Sequence, residues 1–258
     1  MSVVYSIYRL HASRLGYVRT AVGGVLMYST VPLFVFLHTT IVSLCYKIFF
    51  ASWYGARRVR AADYLVLDRY SISSLAWFDR LNCLYCEYAN GVTLMLQAEL
   101  DQVQADVPRL RLLRSIALAL WLVPQTLLLL VGLLITTIPT NIFMQLLGLH
   151  RASHRKIWTR LENEHYAAAY GSAARALLCF HKLTADILSY NLEQIESAWC
   201  PIRHLERQGY VLPRHHGRFF SRSSLPALLV TLKTKGTVSE RKSKYLGTKY
   251  ISGPDIRV

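Results

Sequence analysis

Charge is scarce in this sequence, and acids are scarcer than bases. Asp, Glu, Lys and Arg make up 17% of the 258 residues, against about 25% in a typical soluble domain. Such a composition excludes a disordered polyelectrolyte and argues against an ordinary soluble enzyme. Cysteine is sparse too: five residues, too few for a disulfide scaffold in a chain of this length. There is no Gly-rich phosphate loop, nucleophile elbow or internal repeat. What is abundant is apolar surface and positive charge. The chain is 53% hydrophobic, and 30 Lys+Arg against 15 Asp+Glu give +15. That excess suits nucleic acid or an anionic membrane face, and its position along the chain separates the two.

Two stretches contain no charged residue at all, 27 residues over 20–46 and 35 residues over 115–149. Both exceed the roughly 18 apolar residues that mark a membrane helix. The first follows Arg19 and is long for a signal-peptide core, with no small-residue cleavage site after it, so it reads as retained. The expected organisation is a basic segment 1–19, a membrane segment 20–46, a cytoplasmic segment 47–114, a second membrane segment 115–149, cytoplasmic helices 150–212 and a basic, disordered tail 213–258. The tail holds ten bases and two acids and is expected to lie on anionic headgroups, each base worth about 1 kcal/mol there. Nucleic acid is not expected, since no base-reading fold accompanies the charge.

The fold class is therefore an all-α membrane protein with a small cytoplasmic helical domain. Good helix formers cover Ala89–Val107, and Leu183, Ile187, Leu188, Leu192, Ile195 and Trp199 form an apolar face within a long helical region, Arg155–Ser197. As one helix the second apolar segment would be about 52 Å long, against a hydrocarbon core of about 30 Å. It contains Pro124, Gly132, Pro139 and Asn141, residues that break or turn helices.

The cysteines carry the chemistry. Cys83 and Cys86 form a C-x2-C pair, which brings two thiolates to one metal. Cys200 and His204 sit four residues apart, on one helical face, and can supply a third and fourth ligand. A Cys3His set suits zinc or iron. A Cys83–Cys86 thiol–disulfide pair with Cys200 as resolving thiol is the alternative; packed thiols in a structural scaffold are a third reading. Cys45 and Cys179 read as packed thiols.

Topology bears on this site. One straight crossing by 115–149 would put Cys83/Cys86 and Cys200/His204 on opposite faces. The flanking bases are also evenly split, seven on each side of a two-span arrangement, as expected when all flanks share one face. A re-entrant hairpin turning near Gly132–Pro139 satisfies both conditions and is the expected form.

Other patterns are weaker. His150/His154 lacks the further histidine boxes of membrane di-iron enzymes, and Glu162/His165 is a single E-x-x-H where a di-iron bundle needs two. Asp68 is a minor candidate beside the run Tyr64–Leu67, read as an exposed strand or turn.

The stretches Asp63-Tyr64-Leu65-Val66-Leu67-Asp68-Arg69, Asn82-Cys83-Leu84-Tyr85-Cys86 with Asn90-Gly91, and Trp199-Cys200-Pro201-Ile202-Arg203-His204 resemble a group of uncharacterised bacterial membrane proteins. The resemblance covers roughly residues 25–95 and 190–206. It implies a bacterial inner-membrane location and two Cys motifs built to meet, with no activity attached. In that group the motifs lie a few helical turns apart, whereas about 110 residues separate them here, so this chain resembles the group with an insertion. The group also tends to carry His where this chain has Tyr70.

Overall fold

The structure, a computed structural model, describes residues 6–65, 67, 69–72, 74–106, 110–146 and 172–201. It is mostly helical, with no β-strand among the described residues. Helix α1, Ile7–Leu15, is capped by Ser6, whose Oγ accepts from the Arg9 amide at 3.3 Å. It ends at Gly16, whose φ of +87° costs a glycine little and an L-side chain much. The chain then enters α2, a rod spanning Tyr17–Trp53. The rod is α-helical over Tyr17–Tyr28 and Val31–Phe36 and winds more widely, as a π-helix, over Leu37–Phe50. Pro32 falls in the first turn after a joint at Ser29–Thr30, where its missing N–H breaks no bond. Both joint hydroxyls donate back to carbonyls, Ser29 to Leu26 and Thr30 to Met27. The rod therefore continues past the proline.

Helix α3 spans Trp77–Asp106, α4 spans Leu112–Leu146 and α5 spans Ser172–Trp199. Cross-helix pairs fix their directions. Tyr28 donates to Asn82, Thr30 pairs with Tyr85 and His38 with Tyr88, so α2 and α3 run parallel. Asn90 meets Glu196, Gln97 meets Asp186 and Asp101 meets Lys182, so α5 is antiparallel to α3. Thr126 meets His181 and Phe143 stacks on Trp199, so α5 is parallel to α4. Among the described residues α2 to α5 form a bundle of up-up-down-down order, which requires long crossovers. The first crossover, 54–76, runs back along α3: the Val59 amide donates to Glu99, Tyr64 crosses Gly91, and Arg69 reaches Glu87.

Three sequence expectations are corrected here. The second apolar segment is no hairpin; α4 is one 35-residue helix with Pro124 and Pro139 inside it. Thr126, Thr136 and Thr140 donate their hydroxyls to carbonyls three or four residues back, supplying local bonds near each proline. Gly132 is a notch and not a turn. A Cβ there would lie 2.4 Å from Leu33 Cδ1 of α2, and one at Gly23 would lie 2.6 Å from the Phe143 ring of α4. Second, the Cys-bearing helices do not form a separate small domain but pack lengthwise on α2 and α4, in one continuous core that runs from Met27 and Phe34 through Leu96 and Leu100 to Leu188 and Trp199. Third, α3 begins twelve residues before Ala89, so Cys83 and Cys86 lie inside a helix. Two helices, α2 and α4, are long and apolar enough to cross a membrane.

Candidate functional site

The thiols gather at the end of the bundle where α3 begins and α5 stops. Cys83 and Cys86 are one helical turn apart on α3, and Glu87 and Asn90 continue the same inward face. Cys200 follows the last residue of α5, four residues after Glu196, and Pro201 prevents the helix from continuing. All three thiols are buried, at 5%, 3% and 4% exposure for Cys83, Cys86 and Cys200. Cys200 is close enough to act electrostatically on both Cys83 and Cys86, across more than 110 residues of sequence. The structure thus places Cys83, Cys86 and Cys200 at the same end of the bundle. His204 lies outside the described residues, as do Asp68, His150, His154, Glu162, His165 and the tail 213–258.

At the centre of this end is a charge cluster that sequence reasoning missed. Arg69, from the crossover, donates Nε to Glu87 Oε1 at 2.8 Å and Nη1 to Glu196 Oε1 at 3.0 Å. Its backbone amide donates to both Glu87 oxygens at 3.2 Å. Asn90 Nδ2 donates to the second Glu196 oxygen at 2.8 Å. One guanidinium therefore ties the crossover to α3 and α5. Burial opposes its charge, but Glu87 and Glu196 reverse that and hold Arg69 well above the ordinary arginine range. A visible signal existed: Arg69 and Asn90 lie within the distinctive stretches, Glu87 directly follows Cys86, and Glu196 is one helical turn before Cys200. Tyr70 is 45% exposed and stands outside the cluster.

Burial drives the Cys83 and Cys86 thiols far above the usual range. For Cys83 the Arg69 charge opposes this while Cys200, Glu87 and Glu196 add to it; for Cys86 the Glu196 charge adds most. Both are held as neutral thiols. Among the described residues no group of three or more His, Cys, Asp or Glu side chains has an arrangement that would hold a metal ion. The thiols share this end of the bundle without forming a ligand cage.

Helix α1 covers this end. The Ile7 amide donates to Asp79 Oδ2 at 2.9 Å, and His11 Nε2 meets the Ala198 carbonyl oxygen at 2.9 Å. Tyr8 and His11 pack on Trp199, beside Cys200. Burial raises Asp79 to about 6, against the pull of its backbone donors.

The opposite end has a different polar centre. His181 is fully buried, with Tyr46 Oη 2.6 Å from Nδ1 and Thr126 Oγ1 2.9 Å from Nε2. The Thr126 hydroxyl donates to the Leu122 carbonyl at 2.8 Å, so it accepts from Nε2–H and leaves Nδ1 to accept from Tyr46. Burial lowers His181 to about 3 and keeps it neutral. It pins α2, α4 and α5 together. Cys45 is buried and Cys179 half-buried, as packed thiols would be.

No protein-family model, curated protein or solved structure matches this chain.

Proposed function

We propose that the chain is an integral protein of the bacterial inner membrane that holds zinc or iron at Cys83, Cys86, Cys200 and His204, on the cytoplasmic side. The observation that carries this reading is the convergence of Cys83, Cys86 and Cys200 from sequence-distant elements into one buried end. Thiolates bind metal and neutral thiols do not, so uptake would release protons from Cys83 and Cys86 and draw the three sulfurs inward. The Arg69–Glu87–Glu196 bridge would fix the backbone from which they approach. Zinc closed by four ligands would clamp the crossover end; iron would permit electron transfer. A thiol oxidoreductase fits less well, because reactive cysteines are exposed and hold low pKa values, the reverse of Cys83 and Cys86.

A second reading is favoured by the absence of a ligand cage among the described residues. In it the thiols only fill space around the Arg69 bridge, and the protein is a scaffold. Metal analysis of detergent-purified protein decides between them. One equivalent of zinc or iron, lost in Cys83→Ser/Cys86→Ser, is expected from a metal centre. Protein that carries no metal and takes up none from a zinc or ferrous titration overturns it in favour of the scaffold.

A further inference from the structure

We propose that the bundle lies along one leaflet of the membrane on the shared outer face of α2 and α4, instead of crossing it. The inference rests on the membrane reading above and specifies its geometry. Four observations carry it. The large exposed apolar side chains lie almost wholly on these two antiparallel helices: Val18, Val22, Val25, Val35, Leu44 and Ile48 on α2, and a broader set from Leu112 to Ile142 on α4. None lies on α5. With 37 and 35 residues, each rod is roughly 50 Å long, well beyond the hydrocarbon thickness of about 30 Å. A face of that length fits the plane of a leaflet, where an apolar helix face sinks about 5–10 Å.

The crossover supplies the third observation. It returns beside α3 as largely irregular backbone, passing Gly91 at Tyr64 and leaving Leu67 and Tyr70 exposed. Irregular backbone facing lipid does not occur in the hydrocarbon region, because its amides and carbonyls have no water there. The exposed part of 54–76, around Leu67 and Tyr70, therefore suits water better than lipid, and an in-plane bundle leaves that side wet. The fourth is charge. Arg9, Arg14 and Arg19 are exposed at the thiol end, and Arg58, Arg60, Arg111 and Arg114 at the other. An in-plane bundle sets both groups against anionic headgroups of the same leaflet, beside Tyr17 and Trp53 at the interface. It accounts for the even split of flanking bases without a hairpin.

The test uses the full chain expressed in a bacterium, with one cysteine added at an exposed end, Ser13→Cys or Ser52→Cys, and Cys179→Ser removing the half-buried thiol. Sealed vesicles of one orientation are treated with an impermeant maleimide. In-plane seating gives labelling of both positions from the same side, within about twofold of each other. Labelling from opposite sides overturns the proposal while leaving the membrane reading intact. Should either variant fold poorly, spin labels at Leu120, Leu127, Leu134 and Ile138 give an independent measure: uniform depth along α4 supports in-plane seating, and a maximum at mid-helix overturns it. Protein that stays soluble without detergent and does not sediment with vesicles containing anionic lipid overturns both.

Discussion

Helices α2 and α4 are almost free of charge along their length, yet they carry nearly all of the exposed large apolar side chains. Helices α3 and α5 carry Asp79, Glu87, Glu99, Asp186, Glu193 and Glu196, and every one of these is buried. For a water-soluble bundle that pairing is inverted. It becomes sensible if lipid is the solvent on one side: the uncharged helices face it, and the buried carboxylates of the charged ones are kept from it. The two pairs are then held by opposite means. The apolar pair relies on shape, with Gly23 and Gly132 admitting Phe143 and Leu33. The charged pair relies on a polar seam whose central tie is Arg69.

Breaking that tie should have the largest effect. In Arg69→Met the side-chain volume is kept while Glu87 and Glu196 lose their cation in a buried setting. Removing one partner of such a pair costs about 3–5 kcal/mol. We expect unfolding in detergent to be destabilised by that order, read from denaturant or thermal melts. The triple variant Arg69→Met/Glu87→Gln/Glu196→Gln should recover much of the loss, because neutral replacement of a whole buried cluster is often tolerated. If the single and triple variants melt alike, charge is not what the seam contributes.

Next in size is the approach of the crossover to α3. A Cβ at Gly91 would stand 2.6 Å from the Tyr64 carbonyl oxygen, a backbone atom that cannot rotate away. Gly91→Ala is expected to cost about 1–3 kcal/mol through overpacking. Gly132→Ala sharpens the comparison, since its added carbon meets the far end of the flexible Leu33 side chain. There the gain in helix propensity, about 1 kcal/mol, offsets the clash. Equal destabilisation at the two glycines would mean that the crossover is not seated as described.

How far the sequence exposed this architecture follows from the same contrast. The charge-free stretches were legible because the absence of charge is a local property. The apolar spacing of α5 is legible too: Leu188, Leu192, Ile195 and Trp199 are buried, while Leu183 and Ile187 are half-buried. The hairpin does not form because the helix-breaking residues Pro124, Gly132 and Pro139 are accommodated in place: threonine hydroxyls bond to carbonyls near the prolines, and Gly132 receives Leu33. The early start of α3 was hidden by Asn82, Cys83, Tyr85 and Cys86, all weak helix formers whose conformation is set by tertiary contacts. For the candidate site, the apolar face ending at Trp199 implies a helix packed on Ala89–Val107 with Cys200 towards Cys83 and Cys86; α5 does pack on α3, and no hairpin is involved. The motifs share an end because α5 runs parallel to α4 and antiparallel to α3, and no local spacing encodes that. Arg69 was overlooked as a tie because its two partners lie 18 and 127 residues away.

The smallest expected effect concerns the end away from the thiols, where the charged pair contains a carboxylate without a close cation. Glu99 is buried and accepts from the Val59 amide at 3.3 Å. Burial raises it from 4.5 to about 7, with the Val59 donor and the Lys47 charge pulling the other way. The folded state therefore binds a proton that the unfolded state has released between those two values. Stability from this group is full below about 4.5 and is lost as pH rises through about 7, the direction in which the native state binds more protons. Thermal melts between pH 5 and pH 8 should show a modest decline in the wild type. Glu99→Gln keeps a carbonyl oxygen for the Val59 amide and cannot ionise, so its melts should flatten over that interval and exceed the wild type at pH 8. An unchanged slope in the variant would show that Glu99 is solvated in both protonation states. The inversion of charge and burial would then stop short of this end of α3, leaving the Arg69 cluster as its main expression.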